Sequence, residues 1–222
     1  MNILITGMQR SGTTLLRRIF TIHPQVRHIF HESFFLSKFK TSKLLNAHMK
    51  SIDINPKQKR WGEKCPYYPN IRRIRPEEYC ETLHEWYPKK FRVVHIIRHP
   101  IDIAKSNVEK FKYIKSVHAP LRMYKSIVPR IINNFEKLPY IIQIKYEDLL
   151  LNPDIVIPEI YEFCNLKSDI NFRKKLKKLK NPIYQQLNSD RAFAYKQGKQ
   201  GIKLEFSDVF EVTNKIKGPK YK

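Results

Sequence analysis

Short apolar runs alternate with amphipathic stretches along the first three quarters of the chain. Asn2–Thr6, Phe91–Ile97 and Tyr140–Lys145 are compact, rich in β-branched residues, and each is followed by a loop and a helical pattern. That predicts strands buried in a parallel sheet. Val26–Phe30 predicts a shorter strand after the first helix. Helical spacing of apolar positions predicts helices over Thr13–Ile22, Pro76–Trp86, Ile101–Lys110, Leu121–Lys137 and Pro153–Cys164. Strand and helix taking turns argue for an α/β fold, a parallel sheet with helices on both faces. With no internal repeat and no linker, residues 1–222 are expected to form one domain. In such sheets ligands bind beyond the C-terminal ends of the strands, so the loops there carry the chemistry.

The first of these loops is Gly7-Met8-Gln9-Arg10-Ser11-Gly12-Thr13-Thr14. Its strand–loop–helix setting and glycine spacing are those of a P-loop. The lysine that should follow the second glycine is Thr13. Backbone N–H groups and a helix start can still cradle an oxyanion. Arg10 adds charge, and Ser11, Thr13 and Thr14 add hydroxyl donors. Without the triphosphate clamp, the loop suits a nucleotide carrying something other than a γ-phosphate. After the Phe91–Ile97 strand, Arg98 stands where a magnesium-dependent P-loop enzyme needs an aspartate. A guanidinium cannot hold a metal ion but can grip a phosphate bidentately. Pro100 suits a first helical turn, which puts Ser106 about two turns into the helix behind Arg98.

Charge sharpens the picture only in part. Forty-three basic residues face 20 acidic ones, a formal +23, which attracts polyanions without choosing among nucleic acid, glycan, lipid surface and charged nucleotide. Cys65, Cys80 and Cys164 are odd in number and widely spaced. They argue against a zinc site or disulfide framework and for a reducing, cytoplasmic setting. No apolar run approaches the roughly 20 residues of a membrane span, and a strand beginning beside Met1 leaves no place for a signal peptide. The Lys-rich stretch Asn171–Lys180 suits an amphipathic helix, either a solvated face or one that rests on anionic lipid or binds a sulfated or carboxylated glycan.

These residues carry a family resemblance. The loop Gly7–Leu16 resembles the phosphosulfate-binding loop of sulfotransferases that use PAPS (3′-phosphoadenosine 5′-phosphosulfate). Arg98-His99-Pro100 through Ser106 resembles their site for the cofactor's 3′-phosphate. His31-Glu32-Ser33-Phe34-Phe35 is similar to the acidic segment after the second strand in the carbohydrate and tyrosyl-protein branch. Trp61-Gly62-Glu63-Lys64-Cys65-Pro66 is similar to a Gly-x-Lys-Thr/Ser-Pro segment, with Cys65 replacing the hydroxyl residue. Tyr146-Glu147-Asp148-Leu149 with Asn152-Pro153 resembles the segment before the last large helix. The matches run from Met1 to about Leu166. Farther on, Lys196-Gln197-Gly198-Lys199-Gln200-Gly201 is faintly similar to a loop that closes over the 3′-phosphate, with two basic positions altered.

The resemblance implies sulfuryl transfer from PAPS to a hydroxyl or amine, leaving PAP, without a metal. It implies cofactor contacts from Arg10, Ser11, Gly12, Thr13, Thr14 and Leu15 and from Arg98, Ser106, Lys196 and Gly198. Arg10 and Lys64 would be the catalytic cations. Glu32 would be the general base, with His31 competing for that role. The acceptor implied first is a saccharide or glycoconjugate. Two other classes stay open. A small-molecule kinase would share the frame but lacks the lysine and metal signals. A nucleic-acid-binding protein would explain the charge, yet neither an RNA-recognition pattern nor a helix-turn-helix is evident.

Overall fold

Among the described residues five strands form one sheet, each parallel to its neighbours, and across the sheet the second strand in chain order is followed by the third, first, fourth and fifth. The computed structural model describes residues 2–52, 60–67 and 75–167. In chain order the elements are β1 (Asn2–Gly7), α1 (Thr13–Thr21), β2 (Val26–His31), α2 (Phe35–Lys38), α3 (Ser42–Ser51), β3 (Arg60–Lys64) and α4 (Pro76–Trp86). Then come β4 (Phe91–Ile97), α5 (Pro100–Lys110), α6 (His118–Phe135), β5 (Ile141–Lys145), α7 (Tyr146–Leu151) and α8 (Pro153–Phe163).

Strand alternation sorts the core into two layers. Ile3 and Ile5 of β1 and Val94 and Ile96 of β4 face one side, where Leu16, Ile19 and Phe20 of α1 meet Val156, Ile157 and Ile160 of α8. Leu4 and Val93 face the other, against Leu83 of α4 and Ile131 and Phe135 of α6. The central strand β1 is buried throughout, whereas edge strand β2 is buried only at Val26 and Ile29. Proline starts α4, α5 and α8, where its missing N–H costs nothing.

All four expected strands and five expected helices are present; Phe91–Ile97 and Pro76–Trp86 keep the expected bounds, and the others shift by one to three residues at an end. The fifth strand, β3, was not expected. Arg60-Trp61-Gly62-Glu63-Lys64 holds one large apolar residue and three charged ones, so no hydrophobic run announces it. It nevertheless lies between β1 and β2, with Glu63 fully buried and Lys64 2% exposed. Gly62 makes the fit: a Cβ there would come 2.5 Å from both Ile3 O and Ile29 Cδ1. Helices α2, α3 and α7 were also not expected; α2 and α7 have only 4 and 6 residues, too short for periodicity to show.

Candidate active site

Every strand delivers a polar or charged residue at its C-terminal end. From β1 comes the loop 8–12, held by the Ser11 N–H donating to Met8 O at 3.0 Å. Arg10 (φ 72°) and Gly12 (φ 108°) both take left-handed backbone. At Gly12 only glycine fits, because a Cβ would meet the Tyr146 ring at 2.4 Å. The turn feeds α1, whose opening N–H groups lack intrahelical partners by construction. Ser11 and Thr13 are buried and Thr14 is exposed. Leu15, in the first turn of α1, is buried in the core, so only its backbone can reach a ligand at the loop.

At the ends of β2 and β3, four side chains meet. Lys64 Nζ lies 2.5 Å from Glu32 Oε1, 3.2 Å from His31 Nε2 and 3.4 Å from Thr14 Oγ1. His31 Nε2 is 3.7 Å from the same Glu32 oxygen. On sequence alone Lys64 would be a surface lysine. The structure instead buries its stem in a central strand and aims its ammonium across the phosphate loop. The Glu32 N–H donates to Lys64 O at 2.8 Å, fixing the backbone of one residue to that of the other.

The end of β4 holds Arg98, whose guanidinium stacks 4.5 Å from the Tyr146 ring centroid, a cation–π arrangement. Its Nη1 donates to Arg10 O at 3.2 Å, and Arg10 Nε donates to Ser106 Oγ at 2.9 Å. The loop and the Arg98–Ser106 segment thus form one connected surface. Glu147 Oε1 accepts from the His99 N–H at 2.9 Å and holds the segment from behind. Burial raises the Glu147 carboxyl, opposed by that hydrogen bond and by Arg98. Burial, then Arg98 and Lys105, push His99 down to about 4, so its imidazole is neutral at ordinary pH.

The donor set fits an anionic nucleotide. Ser11 Oγ and Arg98 Nε are buried donors with no hydrogen-bond partner among the described residues, and such groups are costly unless something accepts from them. Phosphate or sulfate oxygens would. Among the described residues no cluster of metal-ligating side chains occurs.

Arg10, Ser11, Thr13, Thr14, His31, Glu32, Lys64, Arg98 and Ser106, singled out by the sequence, all lie at or beyond the C-terminal ends of the strands or on the helices that follow them. Lys196, Gly198 and the stretch Asn171–Lys180 lie outside the described residues. The sequence assigns no role to Glu63, Tyr146 or Glu147, which fall inside motif segments. For Tyr146 and Glu147 the available signal was their position directly after a strand.

The comparisons agree with this geometry. The sulfotransferase domain family matches residues 1–216. Among solved structures, the sulfotransferase domain of the Synechococcus PCC 7002 olefin synthase superposes with a TM-score of 0.59 at 17% identity, covering 96% of this chain and 92% of that one. Mouse sulfotransferase SULT7A1, complexed with PAP, gives 0.55 at 17% identity, with 84% and 64% covered. Retinol dehydratase in complex with androsterone and inactive cofactor PAP gives 0.54 at 12% identity, with 99% and 82% covered. No curated protein matches in sequence. With the family matched over nearly its whole length and the phosphate loop, Arg98 and Ser106 on one surface, this chain belongs to the sulfotransferase domain family, enzymes whose sulfuryl donor is PAPS.

Proposed function

We propose that the protein moves a sulfuryl group from PAPS to a hydroxyl or amine of a saccharide or glycoconjugate, by metal-free in-line transfer, nearest in kind to the carbohydrate and tyrosyl-protein branch. The observation that carries this reading is the meeting of Lys64, Glu32, His31 and Thr14 beside the phosphate loop. It joins an anion-binding cation to a carboxylate that can take a proton. PAPS, when bound, supplies the sulfuryl group and leaves as PAP.

Arg10, Thr13 and Thr14 bind the 5′-phosphosulfate, and Lys64 offsets the charge that grows on the departing phosphate oxygen. Arg98 and Ser106 bind the 3′-phosphate, with Tyr146 as the platform under the guanidinium. Glu32 takes the acceptor's proton as the new O–S (or N–S) bond forms and the bond to phosphate breaks. The net charge of +23 supports an anionic glycan as acceptor. The cysteines and the lack, among the described residues, of any helix long and apolar enough to cross a membrane support a cytoplasmic setting. The whole chain acts as one domain, with 167–222 as a basic C-terminal extension.

The test is mass spectrometry of glycan, peptide, phenol and steroid pools after incubation with PAPS. An 80-Da gain on saccharides, absent when Lys64 is replaced, is the expected result. A gain confined to peptides, phenols or steroids overturns the acceptor assignment while leaving sulfuryl transfer in place.

A further inference from the structure

Glu63 is a fully buried carboxylate that the proposed chemistry does not use. It sits on β3 one residue before Lys64, so strand alternation sends its side chain to the opposite face of the sheet. There Tyr79 OH of α4 donates to Oε2 at 2.6 Å, and the Phe35 N–H donates to Oε1 at 3.3 Å. The Phe34 N–H also points at the carboxylate. These amides belong to the turn that follows Glu32. That turn is unusual: Glu32 (φ 52°) and Phe34 (φ 49°) both adopt left-handed backbone without being glycine. Such conformations are strained and persist only when the surroundings over-determine them. Phe35, at the far end of the turn, is 1% exposed and packs edge-on against Trp61 of β3 at 5.6 Å.

We infer that Glu63 is a positioning residue, whose buried carboxylate holds the Glu32–Phe35 turn so that Glu32 meets Lys64. This rests on the reading of Glu32 as the base. Removing Tyr79's partner and the acceptor for the turn lets Glu32 relax out of the left-handed region. Its carboxylate then leaves the phosphate loop, and a displacement of about 1 Å at a reacting group costs on the order of 10²-fold in rate.

The experiment compares Glu63→Leu, Glu63→Gln, Glu32→Gln and the double variant Glu63→Leu/Glu32→Gln. Turnover is read as PAP release from PAPS in the mixed acceptor pool, which counts transfer to any acceptor, water included. Glu63→Gln retains an oxygen for Phe35 and a polar group for Tyr79, so turnover stays within about threefold of wild type. Glu63→Leu loses roughly 10²-fold in kcat while PAP affinity holds, and the thermal midpoint falls, because Tyr79 OH and the Phe35 N–H lose their acceptor. On the Glu32→Gln background Glu63→Leu adds no further loss, because both act through one carboxylate. Amide exchange at Phe34 and Phe35 speeds up in Glu63→Leu and not in Glu63→Gln. If Glu32→Gln loses turnover while Glu63→Leu keeps it, Glu63 does not position the base and the base assignment stands. If Glu32→Gln keeps its turnover, both fail together. A Glu63→Leu loss that adds in full to that of Glu32→Gln also overturns the inference.

Discussion

Arg10 Nε donates to Ser106 Oγ at 2.9 Å across 96 residues of sequence. The family resemblance implies separate subsites for the two residues, one for the 5′-phosphosulfate and one for the 3′-phosphate. On that reading the hydrogen bond, together with Arg98 donating to Arg10 O, would give the two subsites a shared wall. A nucleotide bearing both groups would bridge a surface already assembled.

Arg98→Ala should therefore weaken PAP binding by on the order of 2–5 kcal/mol, the cost of losing a buried charge-assisted contact, and Ser106→Ala should weaken it less. Adenosine 5′-phosphate, which lacks the 3′-phosphate, should lose little in either variant. Calorimetric titration of both nucleotides checks this. Equal losses for the two would remove Arg98 from the 3′-phosphate site.

Glu32→Gln keeps size and hydrogen-bonding shape but not basicity. Turnover should fall by roughly 10²–10⁴, with PAP affinity close to wild type, and His31→Asn should be milder. Steady-state rates over a pH series on both variants decide the matter. Should His31→Asn abolish activity and Glu32→Gln spare it, the base is the histidine.

Nucleotide binding should not need magnesium. Thr13 replaces the loop lysine, and Arg98 occupies the end of β4 where a metal-binding aspartate would stand. PAP should bind equally well in excess EDTA, and more weakly as salt screens its exposed phosphate contacts. A strict magnesium requirement, seen by the same titration, would contradict both expectations.

Two buried groups set opposite trends of stability with pH. Burial raises Glu63 to about 7, so its folded pKa lies above the unfolded value. The native state binds the extra proton, and stability is lost as pH rises from about 4.5 to 7, by on the order of 3 kcal/mol. Burial lowers His95 to about 4, opposed by its contact with Gln143. Its neutral ring favours the fold at neutral pH, and stability is lost as pH falls from about 6.5 to 4. Urea unfolding at pH 5 and pH 7 should show Glu63→Gln gaining on wild type as pH rises. A difference that stays constant between the two pH values would mean that Glu63 does not titrate in that window.

The strands β1, β2, β4 and β5, the phosphate loop and the helices that cover the sheet were legible in the sequence. Apolar runs bounded by turns state which segments are buried, and the glycines at 7 and 12 state where the backbone must turn tightly. Arg98 and Ser106 were legible because helical spacing behind Pro100 fixes their relation. What the fold alone decided was β3 and everything that depends on it. A strand reading Arg-Trp-Gly-Glu-Lys has no hydrophobic period, and its burial rests on partners from elsewhere: Tyr79 and Phe35 for Glu63, Glu32, His31 and Thr14 for Lys64. A charge can be buried only when opposite charges or donors surround it, and residues 16 to 50 positions away become neighbours only once the chain has folded. Local pattern records the cost of exposing a side chain to water; it holds no record of which distant group will meet it.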